Sequence, residues 1–140
     1  MNGYLLDTCV ISEFKKPRPD SGLFAWLESV DSGTTYLSAL SIGELRYGVS
    51  RLPKGRKRTD LERWLTAEII PVFTDRILPM TVDVADRWGR LRAHAESRGK
   101  VLSPLDALIA ATAVLHNLTL VTRNEKDYPE EIILLNPWQV

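Results

Sequence analysis

The 140-residue sequence predicts a three-layer α/β/α sandwich built on a central, mainly parallel sheet. Three observations predict it. Short apolar runs alternate with stretches of helical period, the order that lays helices on the faces of a parallel sheet. Residues 105–115 are apolar on nearly every side, which a helix tolerates only inside a core. No internal repeat, low-complexity tract or long linker divides the chain, so a single domain over 1–140 is expected.

The elements follow in order. Tyr4-Leu5-Leu6 reads as a short buried strand ended by Asp7-Thr8, and a helix over 9–14 is stopped by Pro17 and Pro19. Asp20 or Ser21 caps a second helix whose apolar face carries Leu23, Phe24, Leu27 and Val30. After the break at Gly33, residues 34–37 form a strand. Residues 39–50 are helical, with Leu40, Leu45 and Val49 inward. Another helix starts near Thr59 and buries Leu61, Trp64, Leu65 and Ile69, and Pro71 leaves the next few residues undecided. Residues 77–80 form a third strand or strand edge. Thr81 then caps a helix with the inner stripe Val82, Ala85, Trp88, Leu91 and Ala95. Ser103-Pro104 is a helix start, because serine caps free N–H groups and proline fits the first helical position. Asn117 ends that helix in a left-handed conformation. Strands over 118–122 and 132–135 complete the sheet.

Hydrophobic residues make up 44% and charged residues 26% of the chain, the balance of a soluble globular protein. Eighteen basic and eighteen acidic residues cancel, so net charge gives no sign of a nucleic-acid partner. Cys9 is the one cysteine, which excludes an intrachain disulfide and fits a reducing cytoplasm. No secretory signal is expected, since Asp7 interrupts the first apolar run and Lys15 and Lys16 follow it. No segment approaches the ~20 apolar residues of a membrane span.

Chemistry gathers where such a sheet binds its ligands, beyond the carboxyl ends of the strands. Asp7 follows the first strand, and Glu44 lies in the first turns of the helix after the second. Asp106 lies in the first turn of the buried helix, and Asn124 and Asp127 follow the strand ending at Thr122. Each has a structural explanation. Asp7 caps a helix, and Ser41-x-x-Glu44 and Ser103-x-x-Asp106 both match the capping box. Acids in a first turn also gain ~0.3–1 kcal/mol from the helix dipole. Together they ask for more, because carboxylates crowded into a cleft repel unless a cation intervenes. Mg²⁺ prefers oxygen ligands, and two such ions roughly 3.5–4 Å apart suit phosphodiester cleavage. Zinc fits poorly: Cys9 is the only soft ligand, and His94 and His116 stand at no metal-ligand spacing from it. Both histidines read as surface or helix-end residues, and Cys9 as a small buried apolar side chain.

At these residues the chain resembles the PIN-domain ribonucleases, in particular the VapC-type toxins of toxin–antitoxin pairs. The resemblance runs nearly end to end. It rests on Leu5-Leu6-Asp7-Thr8, Ser41-Ile42-Gly43-Glu44-Leu45 with Tyr47-Gly48, Pro104-Leu105-Asp106-Ala107-Leu108-Ile109-Ala110-Ala111, and Leu120-Val121-Thr122-Arg123-Asn124 with Asp127. It implies endonucleolytic hydrolysis of RNA dependent on Mg²⁺ or Mn²⁺, with water as nucleophile. It implies Asp7, Glu44 and Asp106 as metal ligands, with Thr8 and Thr122 as hydroxyls near the site. It also implies a homodimer held in check by a small antitoxin that lays a peptide across the cleft. Two positions depart from the pattern. Asn124 stands where many members carry an aspartate, so Asp127 is the candidate fourth catalytic carboxylate and Asn124 an uncharged oxygen ligand. Cys9 stands where asparagine is common.

The alternative from another class is a non-catalytic Mg²⁺-binding α/β switch. It expects adjacent acids after the first strand and an aspartate ending a middle strand, whereas one acid follows the first strand and Met80-Thr81 the third. A phosphatase of the Asp-x-Asp kind is excluded by Asp7-Thr8-Cys9. A degenerate PIN interaction module stays open. For RNA, Arg51, Lys54, Arg56, Lys57 and Arg58 form a positive run without an intervening acid, and Arg87, Arg90, Arg98 and Lys100 a second strip; such runs are ordinarily solvated surface. Arg46 either pairs with a site acid or faces solvent. No aromatic-rich stacking platform is visible. Trp26, Trp64 and Tyr47 are candidates for partner contacts or for the core, and the core is expected for Trp64.

Overall fold

The computed structural model describes residues 3–138. Strand β1 (Gly3–Leu6) leads into α1 (Thr8–Glu13) and α2 (Ser21–Ser29), and β2 (Thr35–Ser38) into α3 (Ala39–Ser50), α4 (Arg56–Trp64) and α5 (Ile70–Val72). Then come β3 (Ile77–Leu78), α6 (Val82–Ser97), α7 (Pro104–Leu115), β4 (Leu118–Val121) and β5 (Leu134–Leu135). The sheet order is β3-β2-β1-β4-β5, with every pair parallel. Adjacent strands β1 and β4 pair from Gly3 opposite Leu118 to Leu6 opposite Val121. Gly3 permits that approach: a Cβ there would stand 2.8 Å from Leu118 Cδ2 and 3.1 Å from the Thr34 carbonyl oxygen.

Strand alternation divides the core between the two faces of the sheet. Leu5 and Leu120 face one side, where they pack with Val84, Leu91 and Ile109 of α6 and α7. Leu6, Leu37 and Val121 face the other, against Val10, Ile11, Leu23, Leu45 and Trp64 of α1 to α4. The three layers expected from the sequence are therefore present, with α6 and α7 on one face and α1 to α4 on the other. Asn117 adopts φ 55° after α7, the left-handed stop its residue type predicts.

Several local expectations are corrected. The inner stripe of α6 is Val84, Trp88, Leu91 and Ala95, while Ala85 is exposed and Val82 is 84% exposed. With Thr81 as the cap, its Oγ1 accepting the Val84 N–H at 3.2 Å, Val82 sits in the first turn and faces outward. Leu105 is exposed at the rim of α7 rather than buried. Ser41 does not cap α3. Ser38 does, accepting the Leu40 N–H at 3.0 Å, because the second strand runs one residue further than the pattern suggested. The undecided region at Pro71 is resolved by a π-helical turn over Leu65–Ile69, in which the Ile70 N–H reaches back to the Leu65 carbonyl. The wider turn carries the helix onward although Pro71 offers no N–H. Among the described residues, no helix is long and apolar enough to cross a membrane.

Candidate active site

The strand order changes direction between β1 and β4, and Asp7 and Thr122 follow the carboxyl ends of those two strands. This is the position where an open α/β sheet leaves a crevice. Asp7 continues the ladder with its backbone, its N–H donating to the Val121 carbonyl at 2.9 Å. Its side chain is 7% exposed and accepts three hydrogen bonds. The Thr8 N–H donates to Oδ1 at 2.8 Å, and the hydroxyls of Thr122 and Tyr128 each donate to Oδ2 at 2.8 Å. Asp7 is thus a helix cap, as the structural explanation had it, and a buried site carboxylate as well.

Glu44 comes to the cleft from the second turn of α3. Thr8 Oγ1 donates to its Oε1 at 2.6 Å and lies 2.9 Å from Ser41 Oγ, which is why Ser41 is buried inside α3. Asp106, in the first turn of α7, is half-buried. Its backbone N–H reaches the Ser103 cap at 3.5 Å, and its Oδ1 lies 3.5 Å from the Tyr128 hydroxyl. The Asp106 carboxyl is pushed up from its ordinary 3.8 to about 6, first by burial and then by the charges of Asp7, Asp127 and Glu44. Four acids from four separate segments therefore act on one point. Asp127 ends a 3-10 turn over Glu125–Asp127, exposed but near enough for its charge to weigh on Asp106. Asn124 is exposed. Its backbone N–H donates to Thr122 Oγ1 at 3.0 Å, while no bond from its side chain is formed among the described residues.

Tyr128 is the residue that the sequence did not disclose. It is 4% exposed, and its phenol stands between Asp7 and Asp106. Burial, then the charge of Asp7, raises its pKa far above the ordinary value, so the phenol keeps its proton and acts as a donor. The available signal was an aromatic residue set in a polar loop seven positions after β4, without any periodicity to interpret it. Cys9 is half-buried, not fully buried, with Sγ 3.8 Å from Thr122 Oγ1. Burial raises its thiol above the ordinary 9.0, so it stays neutral beside the acids. The remaining candidates lie elsewhere. Arg46 donates to Thr66 Oγ1 at 2.9 Å and pairs with no site acid. His94 stands 3.6 Å from Glu131 on the surface, and His116 is exposed at the end of α7. Trp64 is in the core, and Trp26 packs edge-on against Tyr4 at 5.0 Å.

Whether these residues suit a divalent cation is decided by donor chemistry and spacing. The donors are carboxylate and hydroxyl oxygens, the set that hard cations take. Among the described residues, no three acids, histidines or cysteines are gathered closely enough to form a closed metal cage. A cation held through one or two carboxylates and several of its own waters, as Mg²⁺ commonly is, is the kind such oxygen donors would suit. They do not fit a tetrahedral zinc site.

An open parallel α/β sheet with clustered carboxylates at its switch point defines a class of proteins that work on ligands needing an anionic, hard-oxygen cleft. The family is shown by comparison with known proteins: the PIN domain family matches residues 4–130, and this chain belongs to it. It is 41% identical over 135 residues to Toxin FitB of Neisseria gonorrhoeae, covering 96% of this chain and 97% of that protein. It is 38% identical over 136 residues to VapC ribonuclease Y4jK of Sinorhizobium fredii, again covering 96% and 97%. The solved structure of FitAB bound to a DNA fragment superposes with a TM-score of 0.92 at 38% identity, over 98% of this chain and 96% of that one.

Proposed function

We propose that this chain is the toxin of a type II toxin–antitoxin pair and an endoribonuclease that hydrolyses RNA phosphodiester bonds with Mg²⁺ or Mn²⁺. The observation that carries the chemistry is the placement of Asp7, Glu44, Asp106 and Asp127 around one cleft, where burial first and the charges of the other three acids second push the Asp106 carboxyl up to about 6. A cleft that accumulates negative charge in this way accepts a divalent cation and repels a bare phosphate. Family membership and relatives named as a VapC ribonuclease and a toxin support the assignment to RNA.

Asp7, Glu44 and Asp106 would face the cation, one or two of them as direct ligands and the rest through its waters, with Asp127 and the Asn124 oxygen at the open rim. The cation would supply the positive charge that the scissile phosphate and the attacking water require. The residues of the chain do the rest. Thr122 and Tyr128 fix Asp7 Oδ2, and Thr8 fixes Glu44, so two of the acids are oriented before substrate arrives. Asp106 carries the adjustable charge. With its carboxyl near 6, part of the metal-free population is protonated at neutral pH, and a cation displaces that proton.

The partner in this reading is a small cognate antitoxin that covers the cleft, in line with relatives solved as FitAB and VapBC assemblies. A homodimer and a cytoplasmic setting complete it. The test is cleavage of a panel of structured RNAs by the purified chain and by Asp7→Asn and Asp106→Asn, with Mg²⁺, with Mn²⁺ and with chelator. Metal-dependent cutting confined to the unmodified chain is expected. Equal cutting by all three proteins, or cutting that survives chelation, would refute the assignment.

A further inference from the structure

We propose that the outer face of α3 is a track for single-stranded RNA running away from the acidic cleft, built from Tyr47, Gly48 and Arg51 and continued by Lys54, Arg56 and Lys57. The proposal rests on the ribonuclease reading above and names the path the substrate takes. Helical geometry sets the arrangement. Glu44, Tyr47, Gly48 and Arg51 are spaced i, i+3, i+4 and i+7, so they share one face. Arg51 lies two turns beyond Glu44, about 10 Å along the axis. Glu44 and Gly48 flank the core residues Leu45 and Val49 at the edge of a groove shared with Leu61 and Trp64 of α4, while Tyr47 and Arg51 turn away from the core to solvent.

What lies on this face suits a nucleic acid rather than a core. Tyr47 is 68% exposed, the most exposed aromatic ring among the large hydrophobic residues at the surface. Arg51 holds its guanidinium 5.5 Å from the ring centroid on one side, which fixes its charge in place and leaves the other side of the ring open. A base stacks on such a ring whatever its sequence. Gly48 lies between the acid and the cation, and nothing stands within 4 Å of where its Cβ would be. A glycine in mid-helix costs about 0.5–1 kcal/mol against alanine, and no packing constraint here accounts for it. It keeps the track clear of side chains.

The charges beyond α3 are also unspent. Arg51, Lys54, Arg56 and Lys57 are exposed, and among the described residues none of them is in an ion pair; Arg58 alone of that run is, with Glu62 at 3.2 Å. Of the rival strip, Arg90 pairs with Asp86 at 2.9 Å and Lys100 donates to the Tyr128 carbonyl at 3.0 Å, while Arg87 and Arg98 are in no ion pair among the described residues and have no exposed aromatic ring beside them. In a chain of zero net charge, four exposed cations outside any ion pair among the described residues, at the end of α3 and the start of α4, form a local positive patch. Single-stranded RNA meets both features, stacking on Tyr47 and laying its phosphates along the cations.

The experiment measures two things: binding of a labelled single-stranded RNA to the cleavage-silent Asp7→Asn chain by fluorescence anisotropy across salt concentrations, and the kinetics of metal-dependent cleavage. Tyr47→Ala is expected to weaken binding about tenfold and to raise KM with kcat nearly kept, and Tyr47→Phe to restore both. Replacing Arg51, Lys54, Arg56 and Lys57 together by alanine should flatten the salt dependence by about 0.7 in log–log slope for each lost phosphate contact. Gly48→Leu should raise the unfolding temperature yet weaken RNA binding, which separates the track from any effect on folding. Unaltered affinity, salt slope and KM in these variants, with metal-dependent cleavage intact, would overturn the track and leave the ribonuclease reading standing. Absence of cleavage by the unmodified chain would instead remove that reading. A poly-glutamate peptide that competes as well as RNA would assign the face to an acidic protein. A changed oligomeric state of Tyr47→Ala with unchanged RNA binding would assign it to contacts between copies. Either result overturns the proposal.

Discussion

Asp7 and Asp106 look into the same cleft, and the fold treats them in opposite ways. Asp7 is buried at the end of a central strand and receives three donors at 2.8 Å. Asp106 is half-buried on a helix, and among the described residues its carboxyl meets only the Tyr128 hydroxyl, at 3.5 Å, whose single proton is better placed for Asp7. Those three donors hold the oxygens of one carboxylate in a single orientation. The other is left with a carboxyl pushed up to about 6. The fold thus builds one carboxylate fixed in position and one whose charge is adjustable side by side. A site that must admit and release a cation needs both: the first gives position, the second gives a charge whose cost falls when the cation arrives.

The largest test of this asymmetry removes each carboxylate in turn. Asp7→Ala leaves two buried hydroxyls and a backbone N–H without their acceptor, and is expected to cost about 2–4 kcal/mol of stability. It should also abolish cleavage. Asp106→Ala should abolish cleavage at less than about 1 kcal/mol, because no buried donor depends on it. Denaturant unfolding of the two variants measures the gap. Similar costs would show that the two acids are held alike and erase the distinction.

A smaller effect is expected from Tyr128→Phe. The ring keeps its place in the core, while Asp7 Oδ2 loses one of its two donors. Groups that orient a metal ligand from behind typically contribute 10–100-fold in metal affinity or activity. The cation concentration for half-maximal cleavage should therefore rise by about tenfold, while unfolding shifts by only about 1–2 kcal/mol. An unmoved metal requirement would reduce Tyr128 to a packing residue.

The same contrast explains what the sequence disclosed. Asp7, Glu44 and Asp106 were legible because each stands beside a landmark: the end of an apolar strand, or the early turns of a helix with a recognisable start. The three layers were legible because strand and helix periods alternate. Tyr128 was not legible, since its place depends on the 3-10 turn over Glu125–Asp127 that folds the loop back over the strand ends. The stripe of α6 holds at Trp88, Leu91 and Ala95 and fails only in its first turn, at Val82 and Ala85, because periodicity gives a face but not its phase near a helix end. Either Val82 with Ala85 or Val84 can precede Trp88 and Leu91 on a helical face, and packing against α7 chose Val84. The Ser41–Glu44 pair was read as a capping box since the pattern is the same whether the serine caps the helix or, as here, meets a threonine from α1. In each case the missing information is tertiary.

The smallest effect concerns the adjustable acid alone. The folded state raises the Asp106 carboxyl from 3.8 to about 6, so between those values the native chain binds a proton that the unfolded chain has released. Stability from this group is therefore highest at low pH and is lost as pH rises from about 4 through about 6. Asp106→Asn removes the charge and should raise the unfolding temperature of the metal-free protein at pH 7. Solvent screening keeps the gain small, about 1–3 °C. The gain should shrink toward pH 4, where the native carboxyl is already neutral. Added Mg²⁺ should stabilise the unmodified chain and leave the variant nearly unmoved, because a ligand stabilises only the fold that binds it. Scanning calorimetry across pH, with and without Mg²⁺, measures all of this on one pair of proteins. If the variant is less stable than the parent at pH 7, Asp106 is a structural cap after all, and the cleft holds its charge on Asp7 and Glu44 alone.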